Sequence, residues 1–269
     1  PLHAAGHHGP PERFGPIERE RTVIDRVVSS TTSTVGALIQ ARARVTSKPE
    51  SHRLLAAGLV DTPDYAGMRV NRLPAVRDEV TAVTTSVAGV SATILTDFMY
   101  PPLPPTKPAL VAALPGHAWA HIACHAVTDP DQPTLSQLLL ADHQDYPFTV
   151  LDLTGLALPN PELLYLSACT TARTGRGSLD EPVHFAAAAQ LAGYRHVIAT
   201  LWPLYDDAEP AGIIYGDLAH EGHPNTWDAA GAAAAVHHAT HHLREASHRP
   251  RETPRVPIHA WAPHIHIGP

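Results

Sequence analysis

An α/β fold built on a mostly parallel sheet, with helices on both faces, is predicted by two observations. Apolar runs of strand length alternate along the chain with segments of helical length and period. Two of those runs, around His121–His125 and Leu163–Cys169, show almost no polar alternation, as expected of strands buried on both sides of a parallel sheet.

The elements follow in order. The β-branched run Val23–Ser30 reads as a strand. Ser33 or Thr34 can cap a helix over Val35–Val45, which Lys48-Pro49-Glu50 ends. Arg53–Val60 reads as a strand entering a loop at Asp61. Val76, Val80 and Val83 recur near the 3.6 period, so Leu73–Val87 reads as a helix. Ser91–Thr96 is a short strand, Tyr100–Pro108 a stiff connector and Ala109–Leu114 a short helix. The His121–His125 strand follows, then a polar loop over Thr128–Thr134, an apolar stretch at Leu138–Leu140 and a loop through Pro147. Val150–Leu158 leads to Pro159 and Pro161 and into the Cys169 strand. Arg173–Ser178 is a glycine-rich loop. Val183–Leu191 is a helix with Gly193 just beyond its end. Val197–Trp202 is a strand, Asp207–Leu218 and Thr226–Ala246 are helices, and Ile258–Ile267 is a last edge strand.

With 269 residues, 44% of them hydrophobic, the chain can bury one large α/β domain. The expected organisation is a single domain over 1–269, with 1–108 as the N-terminal part of the sheet and 109–269 as the catalytic half. Beginning on Pro1, the sequence reads as a fragment of a longer protein. No apolar run approaches the ~18 residues that span a bilayer, and no signal peptide is visible, so no membrane partner is expected. A formal net charge of −7 without a Lys/Arg block argues against nucleic acid. Two cysteines, Cys124 and Cys169, exclude a disulfide scaffold and make reduced thiols in the cytoplasm the default. The 20 histidines read as coding bias more than as chemistry.

His125 and Cys169 lie 44 positions apart, each at the end of its apolar run. In an open parallel sheet the carboxyl ends of the strands line the ligand crevice, so the imidazole and the thiol are expected in one cleft. There Cys169 would act as a thiolate nucleophile, and His125 would carry the proton to the leaving amine. The plainer readings are a buried apolar cysteine and a core histidine. His121 shares the face of His125 but sits about 13 Å back along the strand, and is expected to be structural. Cys124 is expected on the opposite face, under a helix.

Further segments follow in a set order: His121-Ile-Ala-Cys-His125-Ala126, Ser136-Gln-Leu-Leu-Leu140, Leu151-Asp-Leu153, Leu166-Ser-Ala-Cys169-Thr-Thr171, Gly175, Asp180-Glu181, Ala192-Gly193 and Thr200-Leu-Trp202 through Asp206. With Pro1–Gly6 and Trp261–Gly268 they span nearly the whole chain, and the series resembles the CHAT domain, a caspase-like domain often found behind tetratricopeptide repeats. The resemblance implies a caspase-like fold, a cysteine peptidase dyad of His125 and Cys169, and an oxyanion hole made by the main-chain amides of Ala126 and Cys169. Members usually carry Gly after the histidine. Ala126 keeps the N–H and adds a methyl that would narrow the cleft or shift the loop.

Asp206, Asp207 and Asp180 are the candidates for substrate binding. An acidic pocket would select Arg or Lys before the cut, whereas Asp206-Asp207 also suits a helix N-terminus. His237, His238, His241 and His242 have the i,i+4 spacing of metal ligands but lack a metalloprotease glutamate, and read as a solvated helix face. No metal or other cofactor is expected. The expected function is a cysteine endopeptidase that cleaves a protein partner and is gated by an upstream repeat domain. The alternative is a catalytically silent scaffold or sensor. A nucleotide-binding fold is set aside because no G-x-G-x-x-G or G-x-x-x-x-G-K-[ST] follows a strand.

Overall fold

A computed structural model describes residues 2–6, 22–43, 53–87, 91–129, 131–170, 181–202, 206–219, 227–248 and 258–269. Its strands are β1 (Arg53–Gly58), β2 (Ser91–Thr96), β3 (Trp119–Val127), β4 (Gln137–Leu139), β5 (Phe148–Thr149), β6 (Leu163–Thr170), β7 (His196–Thr200) and β8 (His264–Ile267). The sheet runs β2-β1-β3-β6-β7-β8, parallel at every step except the last, where β8 turns antiparallel to β7. β4 pairs antiparallel with the carboxyl end of β3, and β5 with β4. The two apolar runs become the central strands β3 and β6.

The helices are α1 (Val35–Ala43), α2 (Val76–Ser86), α3 (Lys107–Ala113), α4 (Val150–Thr154), α5 (Glu181–Ala192), α6 (Glu209–Leu218), α7 (Ala232–His248) and α8 (Ile258–Trp261). They cover both sides of the sheet, as predicted. Alternation along the strands sends Ala120, Ile122, Cys124, Leu164 and Leu166 to one core, with Leu110 of α3 and Ala186 and Ala189 of α5. Trp119, Ala123, Leu163 and Tyr165 go to the other, with α2, α6 and α7. Each large apolar side chain so buried contributes about 1.5–3 kcal/mol.

Gly58, at the end of β1, lets α2 approach closely. A Cβ there would stand 2.7 Å from a methyl of Val80 and 2.8 Å from one of Val76. Those β-branched methyls have little freedom to move aside. Gly58→Ala is therefore expected to cost about 1–3 kcal/mol, read from urea unfolding. An unchanged midpoint would show that α2 shifts freely on the sheet.

Local chemistry explains the boundaries. The Thr34 hydroxyl accepts from Ala37 N (3.0 Å) and caps α1, while Ser33 donates to Gln190 instead (2.7 Å). α3 starts at Lys107, two residues before the predicted Ala109. Thr106 caps it, and Pro108 occupies the first turn, where its missing N–H costs nothing. Gly193 adopts φ +114° beyond α5, with its own N–H and that of Tyr194 closing on Ala189 O.

Three predicted elements are corrected. Val23–Ser30 is not a strand. Val23–Asp25 forms a 3₁₀ turn, and the chain then meets β8 at a single bridge, Thr31 to Ile267. Asp25 accepts from Thr22 and from Arg244 on α7, which bends the segment against its β-branched propensity. Ile258–Ile267 is likewise not one strand. Ile258–Trp261 is a helical turn closed by Ala262 N to Ile258 O, and Pro263 separates it from β8. The helix predicted from Thr226 begins at Ala232, after a 3₁₀ turn whose Asp228 accepts from Ala230 N. The glycine-rich loop Arg173–Ser178 lies outside the described residues. No helix among the described residues is long and apolar enough to cross a membrane.

Candidate active site

β3 and β6 run in register from Trp119 with Leu163 to Ala126 with Thr170, and this register places His125 directly beside Cys169. Paired strands lie about 4.8 Å apart. Both residues stand at the carboxyl ends of adjacent parallel strands in the middle of the sheet, where α/β folds bind ligands.

His125 is only 4% exposed. Its Nε2–H donates to the main-chain carbonyl of Asn71 at 2.8 Å, which leaves the Nδ1 lone pair as the ring's proton acceptor. Burial pushes the His125 pKa below the ordinary histidine range, opposed by the Asn71 carbonyl and the negative field of Asp206. The ring is therefore neutral at neutral pH.

Asn71 lies on the connection between β1 and α2, and its neighbours are anchored in several places. The Asp97 carboxylate accepts from Val60 N (3.0 Å) and Asp61 N (2.9 Å). The Arg72 guanidinium forks onto Asp61, and Leu73 N donates to Val60 O at 3.1 Å. Ala75 N donates to Asp206 Oδ2 at 2.9 Å. At the far end of the loop, Gln144 donates to Asp64 O (2.7 Å), and Tyr65 meets the His143 ring edge-on. Reading by residue type missed Asn71, because a main-chain carbonyl does the work and every residue has one.

The other predicted positions divide as follows. Asp206 and Asp207 are exposed. Asp206 holds Ala75, and Asp207 accepts from Glu209 N at 3.0 Å, leading into α6. Asp180 lies outside the described residues. Ala126 is buried, with Leu138 of β4 on one side and Thr170 of β6 on the other. Cys124 is buried in the opposite core. His121 is fully buried, its Nε2 3.2 Å from Glu79 Oε1 on α2. On α7, His238 donates to Asp217 (2.7 Å), His241 faces Asp25 and Glu245 at 3.7 Å, and His242 lies 3.4 Å from Glu209. Among the described residues no group of three or more His, Cys, Asp or Glu side chains could hold a metal ion.

No curated protein matches this sequence. A family model of the CHAT domain matches residues 2–269, and the chain therefore belongs to the CHAT domain family, which is related to the caspase-like cysteine peptidases.

Proposed function

We propose that the chain is a cysteine endopeptidase that cleaves a protein partner in the cytoplasm through a dyad of Cys169 and His125, under the control of an upstream repeat domain. The observation that carries this reading is the register of β3 and β6, which pairs His125 with Cys169, together with the Asn71 carbonyl that fixes the tautomer of the imidazole. In this reading the Cys169 thiol passes its proton to His125 Nδ1, and Sγ adds to the scissile carbonyl. The main-chain amides of Cys169 and Ala126 hold the oxyanion. His125 then protonates the departing amine, and water hydrolyses the thioester. Asp206, Asp207 and Asp180 are the candidates for selecting a basic residue before the cut.

A peptide electrophile with a basic residue at that position should label the protein, and Cys169→Ala should abolish labelling. His125→Ala should slow it about 10²–10⁴-fold. Labelling that survives in Cys169→Ala would overturn the dyad.

A second reading, a scaffold whose dyad is closed, is favoured by the 4% exposure of His125 under the Asn71 segment. It requires that neither basic nor apolar probes label Cys169, even when the upstream region is present.

A further inference from the structure

We infer that Asp206 is a positioning residue for His125, holding through the Ala75 amide the segment whose Asn71 carbonyl orients the ring. The inference rests on the reading of His125 as the proton carrier. It assigns Asp206 to the dyad rather than to substrate selection alone.

His125 is tied to Asn71 O at 2.8 Å, and Ala75, four residues on, is tied to Asp206 Oδ2 at 2.9 Å. Between them Leu73 N is fastened to Val60 O. The turn from Asn71 to Ala75 is thus fixed at one end by the imidazole and at the other by the carboxylate. Ala75 is also the residue that opens α2, so Asp206 sits at the N-terminus of that helix, where a negative charge is favoured. A carboxylate placed there resists displacement.

Charge adds a second route. Around the loop, Asp61 is neutralised by the fork from Arg72, and the Asp97 oxygens take the amides of Val60 and Asp61. On its own strand the other ionisable groups are Cys124, buried on the opposite face, and His121, which faces Glu79 of α2. Asp206, which comes from the segment leading into α6, is the charged group whose field reaches His125 and favours its cation. The imidazolium that forms when the thiol gives up its proton is stabilised by that charge, with Asn71 O still accepting from Nε2–H.

Two substitutions separate the routes. Asp206→Asn removes the charge and keeps an oxygen for Ala75 N–H. Asp206→Ala removes both. The first readout is the His125 ring resonance followed against pH by NMR, identified by its absence in His125→Gln. The second is the labelling rate of Cys169 with three electrophiles: iodoacetamide, a basic peptide probe and an apolar peptide probe.

With Asp206→Asn the His125 titration midpoint is expected to move down by about 0.5 in pH. Labelling should slow by the same factor, several-fold, for all three reagents. Asp206→Ala should slow all three at least tenfold. An unmoved His125 titration, with loss confined to the basic probe, would overturn the inference and make Asp206 a specificity residue. If the unsubstituted protein resists every electrophile, the peptidase reading fails. The NMR titration still decides whether Asp206 acts on His125.

Discussion

Replacing Glu79 by alanine is expected to cost about 1–3 kcal/mol of stability, the range for leaving a buried polar group without its partner. Glu79 is 4% exposed on α2 and His121 is fully buried on β3, with 3.2 Å between Oε1 and Nε2. The imidazole meets the ring of Tyr165 at 4.9 Å and that of Tyr215 at 5.5 Å, both edge-on, and the two tyrosines stack at 6.0 Å. The Tyr215 hydroxyl is itself buried without a partner, and burial with the nearby Glu79 charge raises its pKa well above the usual phenol value. Glu79→Ala strands a polar ring in an apolar core, whereas Glu79→Gln keeps an oxygen for it and should cost about half as much. The double variant Glu79→Leu/His121→Phe should recover most of the loss, because both buried polar groups leave together. Urea unfolding of the four proteins checks this. A loss under about 1 kcal/mol for Glu79→Ala would show that the pair is not coupled. The effect bears on the site as well, because α2 carries Ala75 at its start and fixes the segment that presents Asn71 to His125.

The pairing of His125 with Cys169 was legible in the sequence because parallel strands have a simple rule: their carboxyl ends share one crevice. Two apolar runs ending on His125 and Cys169 therefore had to converge, and β3 and β6 pair with those two residues in register. The face of α2 was legible for a similar reason, since Val76, Val80 and Val83 repeat at the helical period and are all buried. His121 could be read as structural from its distance along the strand. Its partner could not, because Glu79 lies 42 positions away on an element whose docking angle no local pattern encodes. Asn71 was invisible for a different reason, since a carbonyl carries no residue-type signal. The misread ends have different causes. Val23–Ser30 has strand-like composition, yet the distant Arg244 on Asp25 decides its shape. Ile258–Ile267 is broken locally, at Pro263.

Lowering the pH from 7 to 5 is expected to destabilise the fold by about 2 kcal/mol for each of three histidines, His196, His264 and His266. Burial, the largest influence on all three, holds the pKa of His196 and His264 at about 4 and that of His266 at about 3. For His266 and His196 the hydrogen bonds explain why neutral rings are required, and for His264 complete burial does. Ser30 Oγ donates to Gly268 O (2.8 Å), so it accepts from His266 Nδ1–H (2.8 Å). His266 Nε2 then accepts from His196 Nδ1–H at 3.0 Å. The chain ends at His196 Nε2, which is buried with no partner. A proton on His266 Nε2 would set N–H against N–H, and a proton on His196 Nε2 would bury a donor with nothing to receive it. In the unfolded chain these rings titrate near 6.5. Below that value the unfolded state takes up protons that the native state refuses. The stabilisation is therefore complete above pH 6.5 and is lost progressively as the pH falls towards 4 and 3. Urea unfolding at pH 7.5, 6 and 5 measures the slope, and His264→Leu should reduce it by about one proton. A stability that stays flat from pH 7 to 5 would show that the three rings charge freely in the native state. The weakness should appear first at the sheet edge, where Thr31 N donates to His266 O and Gly268 N to Thr31 O, both at 2.9 Å. Those amides should lose hydrogen-exchange protection at pH 5 before the central strands do. β8 is two strands removed from β6, so acid opens the edge while the register of His125 with Cys169 persists.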